Sequence, residues 1–241
     1  MKNYFLLRVI AVAALLPSFV MGLVGISWNV PNVPQDGLTD ITFPIFMANA
    51  PHSTGYYFAQ QFNFIGQADV GYAGLQPRPD DSNGKPIIHA VFSSFIDGST
   101  TTDSNCSNGA DGGPGVSCSV EFPALYSNGF ELVIRNTEGS TWTGTAVDIN
   151  GNEVHIGSYT LPAGTKGIVG HQGGFVEYSP WNSGMHTCPS LPHTSVVFGV
   201  PTTSTNGAGS LSSAYEYGDC VGQVAYESHS TPQGVEVSVG F

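Results

Sequence analysis

Glycine and proline interrupt nearly every window of this 241-residue chain, with 31 and 16 copies respectively. Beyond the N-terminal segment, no stretch of ten or more residues keeps a 3.6-residue apolar period, so helix content is expected to be very low. Short apolar or alternating runs separated by turn residues take its place: Tyr56 to Ile65, Ile87 to Ile96, Phe130 to Asn136, Trp142 to Asp148, Glu153 to Thr160, Ser195 to Val200 and Val235 to Phe241. Strand spacing of this kind predicts an all-β fold, an antiparallel β-sandwich or jelly roll in a single domain.

The N-terminus reads as an export signal. Lys2 and Arg8 precede an apolar run from Val9 to Met21, and small Gly22 follows. The run falls short of the roughly 20 apolar residues a membrane span needs, so no membrane anchor is expected. The expected division is therefore 1–22 signal peptide and 23–241 secreted domain, a monomer beginning at Leu23. A first residue other than His argues against a copper-brace oxygenase. Loss of Lys2 and Arg8 leaves four basic residues against eighteen acidic ones, a formal charge of −14. Nucleic acid and anionic membranes are poor partners for such a surface.

Four cysteines in an exported chain predict two disulfides, with three possible connectivities. The local pairing Cys106–Cys118 and Cys188–Cys220 is favoured, because the first two flank one glycine-rich loop. The spacings suit neither a zinc site nor a redox pair.

Asn150-Gly151, between two alternating runs, is a signal for a type I′ hairpin. Counting outward from it pairs Val147 with Val154, Thr145 with Ile156 and Trp142 with Tyr159. A loop at residues 137–140 would then pair Arg135 with Trp142 and Glu131 with Ala146. The resulting three-stranded meander has Arg135, Trp142 and Tyr159 in a row on one face, a floor of Gly144 and Gly157, and His155 beyond. Rings beside a glycine floor suit sugar stacking; the alternative is that a loop covers Trp142, with Arg135 stacked on it.

Nucleophile-elbow, HExxH, P-loop and GxGxxG patterns are absent from the sequence. Glycoside hydrolysis needs two facing carboxyls. Glu131 and Glu177 are the candidates, the second in a glycine-rich segment near Trp181 that otherwise makes a tight bend. In the run from Tyr56, alternation places Tyr56, Phe58, Gln60, Phe62 and Phe64 on one face, with Gln60 expected to be a hydrogen-bonded core amide. The loop around Cys106 carries Asp103 and Asp111, oxygen ligands that a structural calcium ion would accept, though without the calcium-hand pattern; no other cofactor or metal is expected.

The segments YYFAQQFNF (56–64), GYAGLQPR (71–78), HAVFSSFIDG (89–98), CSNGADGGPGVSC (106–118), VHIGSYTLP (154–162), GFVEYSPWN (174–182) and AYEYGDCVG (214–222) resemble an uncharacterised family of secreted fungal proteins, with divergent relatives among bacterial secreted domains of unknown function. The resemblance implies an extracellular β-sandwich and, in its bacterial setting, association with carbohydrate-active domains. It supplies no catalytic residues. The leading expectation is a non-catalytic module that binds polysaccharide or cell wall through Arg135, Trp142, Tyr159, His155 and Trp181. The alternatives are a polysaccharide-cleaving enzyme and an effector that acts on a host protein.

Overall fold

The computed structural model describes residues 22–178 and 188–241. Apart from Gly22, the export segment lies outside the described residues, as does Trp181. The first half of the chain forms β1 (Gly22–Asn29), β2 (Asp40–Phe46), β3 (Tyr56–Asn63), β4 (Val70–Arg78), β5 (Ile87–Ser94), β6 (Cys106–Ala110) and β7 (Gly113–Pro123). The second half forms β8 (Phe130–Glu138), β9 (Thr141–Asp148), β10 (Glu153–Thr160), β11 (His171–Tyr178), β12 (Thr194–Gly199), β13 (Thr202–Thr203), β14 (Gly207–Ala208), β15 (Ser210–Leu211), β16 (Tyr215–Glu216), β17 (Tyr226–Thr231) and β18 (Gly234–Val239). Two single 3-10 turns complete the described structure.

These strands build two antiparallel sheets packed face to face, the expected sandwich. The first runs β15-β1-β11-β3-β4-β5-β7-β6, with β16 also on β1. The second runs β10-β9-β8-β2-β12-β18-β17, with the short β13 and β14 beside β2. Alternation decides what each strand buries. Phe58 and Phe62 of β3 and Phe92 of β5 point inward from the first sheet, meeting Phe43, Trp142, Tyr159 and Phe198 of the second. Both disulfides form as the local pairing predicts, Cys106–Cys118 and Cys188–Cys220. No helix among the described residues is long and apolar enough to cross a membrane.

The register departs from expectation in two ladders, and the shift between β8 and β9 overturns the proposed sugar platform. At the β9–β10 hairpin only Gly151 has a positive φ; Asn150 does not, so the turn is not type I′. Asp148 instead accepts the backbone N–H groups of Asn150 and Asn152, which lengthens the loop. Val147 therefore faces Glu153, and Thr145 faces His155. A bulge at Ile156 restores the expected Gly144–Gly157 and Trp142–Tyr159 pairs. Across the other ladder a bulge at Thr137 pairs Arg135 with Thr143 and Glu131 with Val147.

Trp142 and Tyr159 consequently point into the sandwich, 2% and 1% exposed, while Arg135 points out. Tyr159 stacks on Phe92 with centroids 4.4 Å apart, and Trp142 meets Phe64 edge-on at 4.8 Å. The glycines are inward seats for the opposite sheet. A Cβ at Gly144 would stand 2.5 Å from Phe92 Cγ, and one at Gly157 would stand 2.4 Å from Cys118 Cβ. Rings and a disulfide fill the floor that a sugar was expected to cross.

Candidate functional site

The remaining sequence-named residues are scattered. Glu131 is exposed on the outer face of the second sheet, whereas Glu177 lies on the outer face of the first, so the sandwich separates the two carboxyls. Arg135 lines a shallow depression with Val133, Thr143, Thr145, Val147 and Glu153. His155 Nε2 pairs with Asp103 Oδ2 at 2.6 Å. Partial burial works to raise the Asp103 carboxyl, but the Asn105 N–H and His155 outweigh it and hold it below its ordinary range. Asp103 meets His155 of β10, whereas the charge of Asp111 acts on Tyr57 at the outer face of the first sheet. No group of three or more metal-ligating side chains occurs among the described residues.

The segment around Glu177 is not a bend. It is β11, an interior strand between β1 and β3, and its Gly174 leaves room for the side chain of Gln60, whose Oε1 would be 2.2 Å from a Cβ there. Gln60 is buried as expected, but its amide has no hydrogen-bond partner among the described residues.

The outer face of this sheet also carries buried aromatic side chains. β3 has aromatics on both sides, and while Tyr56 and Phe58 enter the core, Tyr57 turns outward and is nevertheless buried. A small second cluster of Tyr57, Ala59, Tyr72, Val91 and Phe175 forms there, with Phe95 and Tyr217 against it. Gly74 sits beneath the Tyr57 ring, where a Cβ would be 2.5 Å from Cε2. Tyr57 meets Tyr72 at 5.7 Å and Phe175 at 5.4 Å between centroids. The β6–β7 hairpin bends against this face at Gly115, whose Cβ would collide with Ser94 O, and its tip carries Asp111.

Glu177 stands opposite Tyr57 in the β11–β3 ladder. Burial pushes its carboxyl up, the Tyr217 hydroxyl at 3.4 Å works the other way and the Asp111 charge adds to the rise, placing it at about 7. Burial alone raises Asp111. The Tyr57 hydroxyl is raised by burial, then by Tyr72, Glu177 and Asp111; it is fully enclosed and has no hydrogen-bond partner among the described residues. Burial and Asp111 push Tyr72, beside Ser93, up to about 12.

On β4, Gln76 lies next to the Phe58–Leu75 pair on this same outer face. Its Oε1 accepts from Arg78 Nη2 at 2.8 Å, which fixes the amide NH₂ as its other end. Arg78 also pairs with Glu121, which His89 joins at 3.2 Å. Of these groups the sequence singled out Glu177 alone as a catalytic candidate. The overlooked signal was a strand with consecutive aromatics, Tyr56-Tyr57-Phe58, which implies cover on both faces.

No protein-family model and no curated protein matches the chain. Similar solved structures include scytalido-glutamic peptidase with a transition state analog inhibitor, 10% identical over 92% of this chain and 100% of that one, with a TM-score of 0.48. SCP-B, a member of the Eqolisin family of peptidases in complex with the tripeptide Ala-Ile-His, matches with the same identity and coverage at a TM-score of 0.41. The CBM2 module of Lactobacillus casei BL23 phage J-1 evolved Dit is 14% identical over 64% of this chain and 68% of that one, at 0.29. At these scores none of them assigns an activity to this chain.

Proposed function

We propose that the chain is an extracellular hydrolase in which Glu177 moves the proton. The observation that carries this reading is a carboxyl buried among tyrosines on an outer sheet face, at about 7, opposite Tyr57 in the neighbouring strand. A carboxyl in that state gives a proton to a leaving group in mildly acidic medium and takes one from water near neutrality. Gln76, its oxygen held by Arg78, offers N–H donors on the same face for an oxygen that gains charge during bond cleavage. The two disulfides and the acidic composition suit work outside the cell.

The test is a panel of polysaccharides and unfolded proteins incubated with the chain from pH 3 to pH 8, read as new reducing ends and new primary amines. Cleavage of one class, reduced at least about a hundredfold by Glu177→Gln, supports the reading. Inactivity on the whole panel, or full activity in the variant, sinks it.

A non-catalytic sugar-binding module is the second reading. It is favoured by Tyr215, 52% exposed at the margin of the same sheet, with its ring against Gly25 and 6.4 Å from that of Tyr217. Under that reading the panel shows retention on a polysaccharide without cleavage, weakened by Tyr215→Ala.

A further inference from the structure

The edges of the two sheets are not alike. In the first sheet β15 and β16 are two residues long, and β6 meets β7 through two register shifts. In the second sheet the edge of β10 is covered: Thr100 and Thr160 exchange backbone hydrogen bonds, while Thr101 Oγ1 and Asn105 Nδ2 donate to Ser158 O and His155 O. The far edge is β17, six residues long, paired to β18 without a shift and with no strand on its other side among the described residues. A regular open edge is a template for another strand.

Ladder parity decides which groups β17 offers. Gly240 N donates to Ala225 O in the same register that pairs Tyr226 with Val239, so Glu227, His229 and Thr231 turn their backbone groups toward β18. Tyr226, Ser228 and Ser230 direct theirs away from it. A second copy related by a two-fold axis at Ser228 would set Ser228 against Ser228 and Tyr226 against Ser230, so the outward groups meet one another.

The same register sets Glu227 of one copy opposite His229 of the other, twice. Both side chains are exposed. The charged groups facing His229 are Glu227 on its own strand and Glu236 of β18, whose Oε2 lies 3.3 Å from His229 Nε2. On the far side of Glu227, His193 meets Ser238, the residue that pairs with Glu227. A protonated His229 would stand between its own Glu236 and the Glu227 of the second copy. Two-fold axes at Tyr226 or Ser230 keep the backbone bonds but lose this pair. Pro232, which lacks an N–H, ends the pairing.

We infer that β17 is a self-association edge, at which two copies of the chain join antiparallel about Ser228 in mildly acidic medium, with Glu227 of each against His229 of the other. One strand pair is smaller than a standard interface, so dilute protein stays monomeric and the dissociation constant is expected on the order of 1 mM.

Sedimentation equilibrium of the full chain, from micromolar to millimolar protein, is expected to show a dimer about fivefold tighter at pH 5.5 than at pH 8, where histidine is neutral. Backbone amide NMR identifies the edge. The Tyr226, Ser228 and Ser230 amides should gain exchange protection as concentration rises, whereas those of Glu227 and His229 are protected by β18 at every concentration. Ser228→Pro removes an outward N–H without touching the β18 ladder and should abolish the dimer. Glu227→Lys, an exposed change that serves should proline disturb the strand, sets like charges opposite each other and should weaken it at least about fivefold at pH 5.5. A monomer at millimolar protein and pH 5.5, a dimer whose protected amides lie outside β17, or a dimer that both variants leave intact overturns the inference.

Discussion

The Tyr217 hydroxyl meets Glu177 Oε1 at 3.4 Å, and its ring occupies the space above Gly22, where a Cβ would stand 1.8 Å from Cζ. A glycine on one strand thus admits the ring whose hydroxyl restrains the acid on the next. That hydroxyl favours the ionised carboxylate, so Tyr217→Phe should raise the Glu177 titration further. The midpoint read by carboxyl-carbon NMR, and the corresponding limb of the activity profile, should both move to higher pH.

Stability should fall as pH rises through the same interval. Glu177 titrates near 4.5 in an ordinary setting and near 7 in the fold, so between those values the unfolded chain releases a proton that the folded chain keeps. Its contribution is present below 4.5 and lost above 7, on the order of 3 kcal/mol. Urea unfolding at pH 4.5 and pH 8 should show that difference in the wild type and a smaller one in Glu177→Gln.

Gly144→Ala is expected to cost about 1–3 kcal/mol, because its Cβ would meet the Phe92 ring at 2.5 Å between tightly packed sheets. Gly84, with open space around it, should cost only what its φ of 73° imposes, about 1 kcal/mol. Urea midpoints of the two alanine variants measure the contrast.

Trp142→Ala should behave as a core deletion. Loss of about 3–5 kcal/mol is expected, with ligand retention by the outer face of the first sheet unchanged under conditions where the variant is still folded. Parallel chemical denaturation and binding measurements separate the two effects.

Sequence pattern and structure agree wherever a strand alternates without interruption. Tyr56, Phe58, Gln60, Phe62 and Phe64 share the buried face that their spacing predicts, and Cys106 and Cys118 close the loop they flank. The meander fails at single residues. A lengthened turn at Asp148 and bulges at Ile156 and Thr137 each displace a strand by one position, and in a sheet one position exchanges the faces. Trp142 and Tyr159 could therefore be paired correctly and still be placed on the wrong side. The outer cluster around Glu177 was illegible for a different reason. Tyr57, Tyr72, Asp111, Glu177 and Tyr217 come from five separate segments, and only the ladders β1–β11, β11–β3 and β3–β4 bring most of them together. Glu177 was visible as a carboxyl among glycines; its partners were not.

That assembly bears on how the chain reaches its folded state. The β3-β4-β5 ladders join neighbours in sequence, β7 follows after only the short β6, and these close early, whereas β11 must return across most of the chain to enter between β1 and β3. Closing so long a loop is entropically slow, and contacts of this separation form late. A refolding chain should therefore bury Phe62 against Phe92 before Glu177 meets Tyr57, so the surroundings of Glu177 are completed in the last step and an arrested intermediate would lack them.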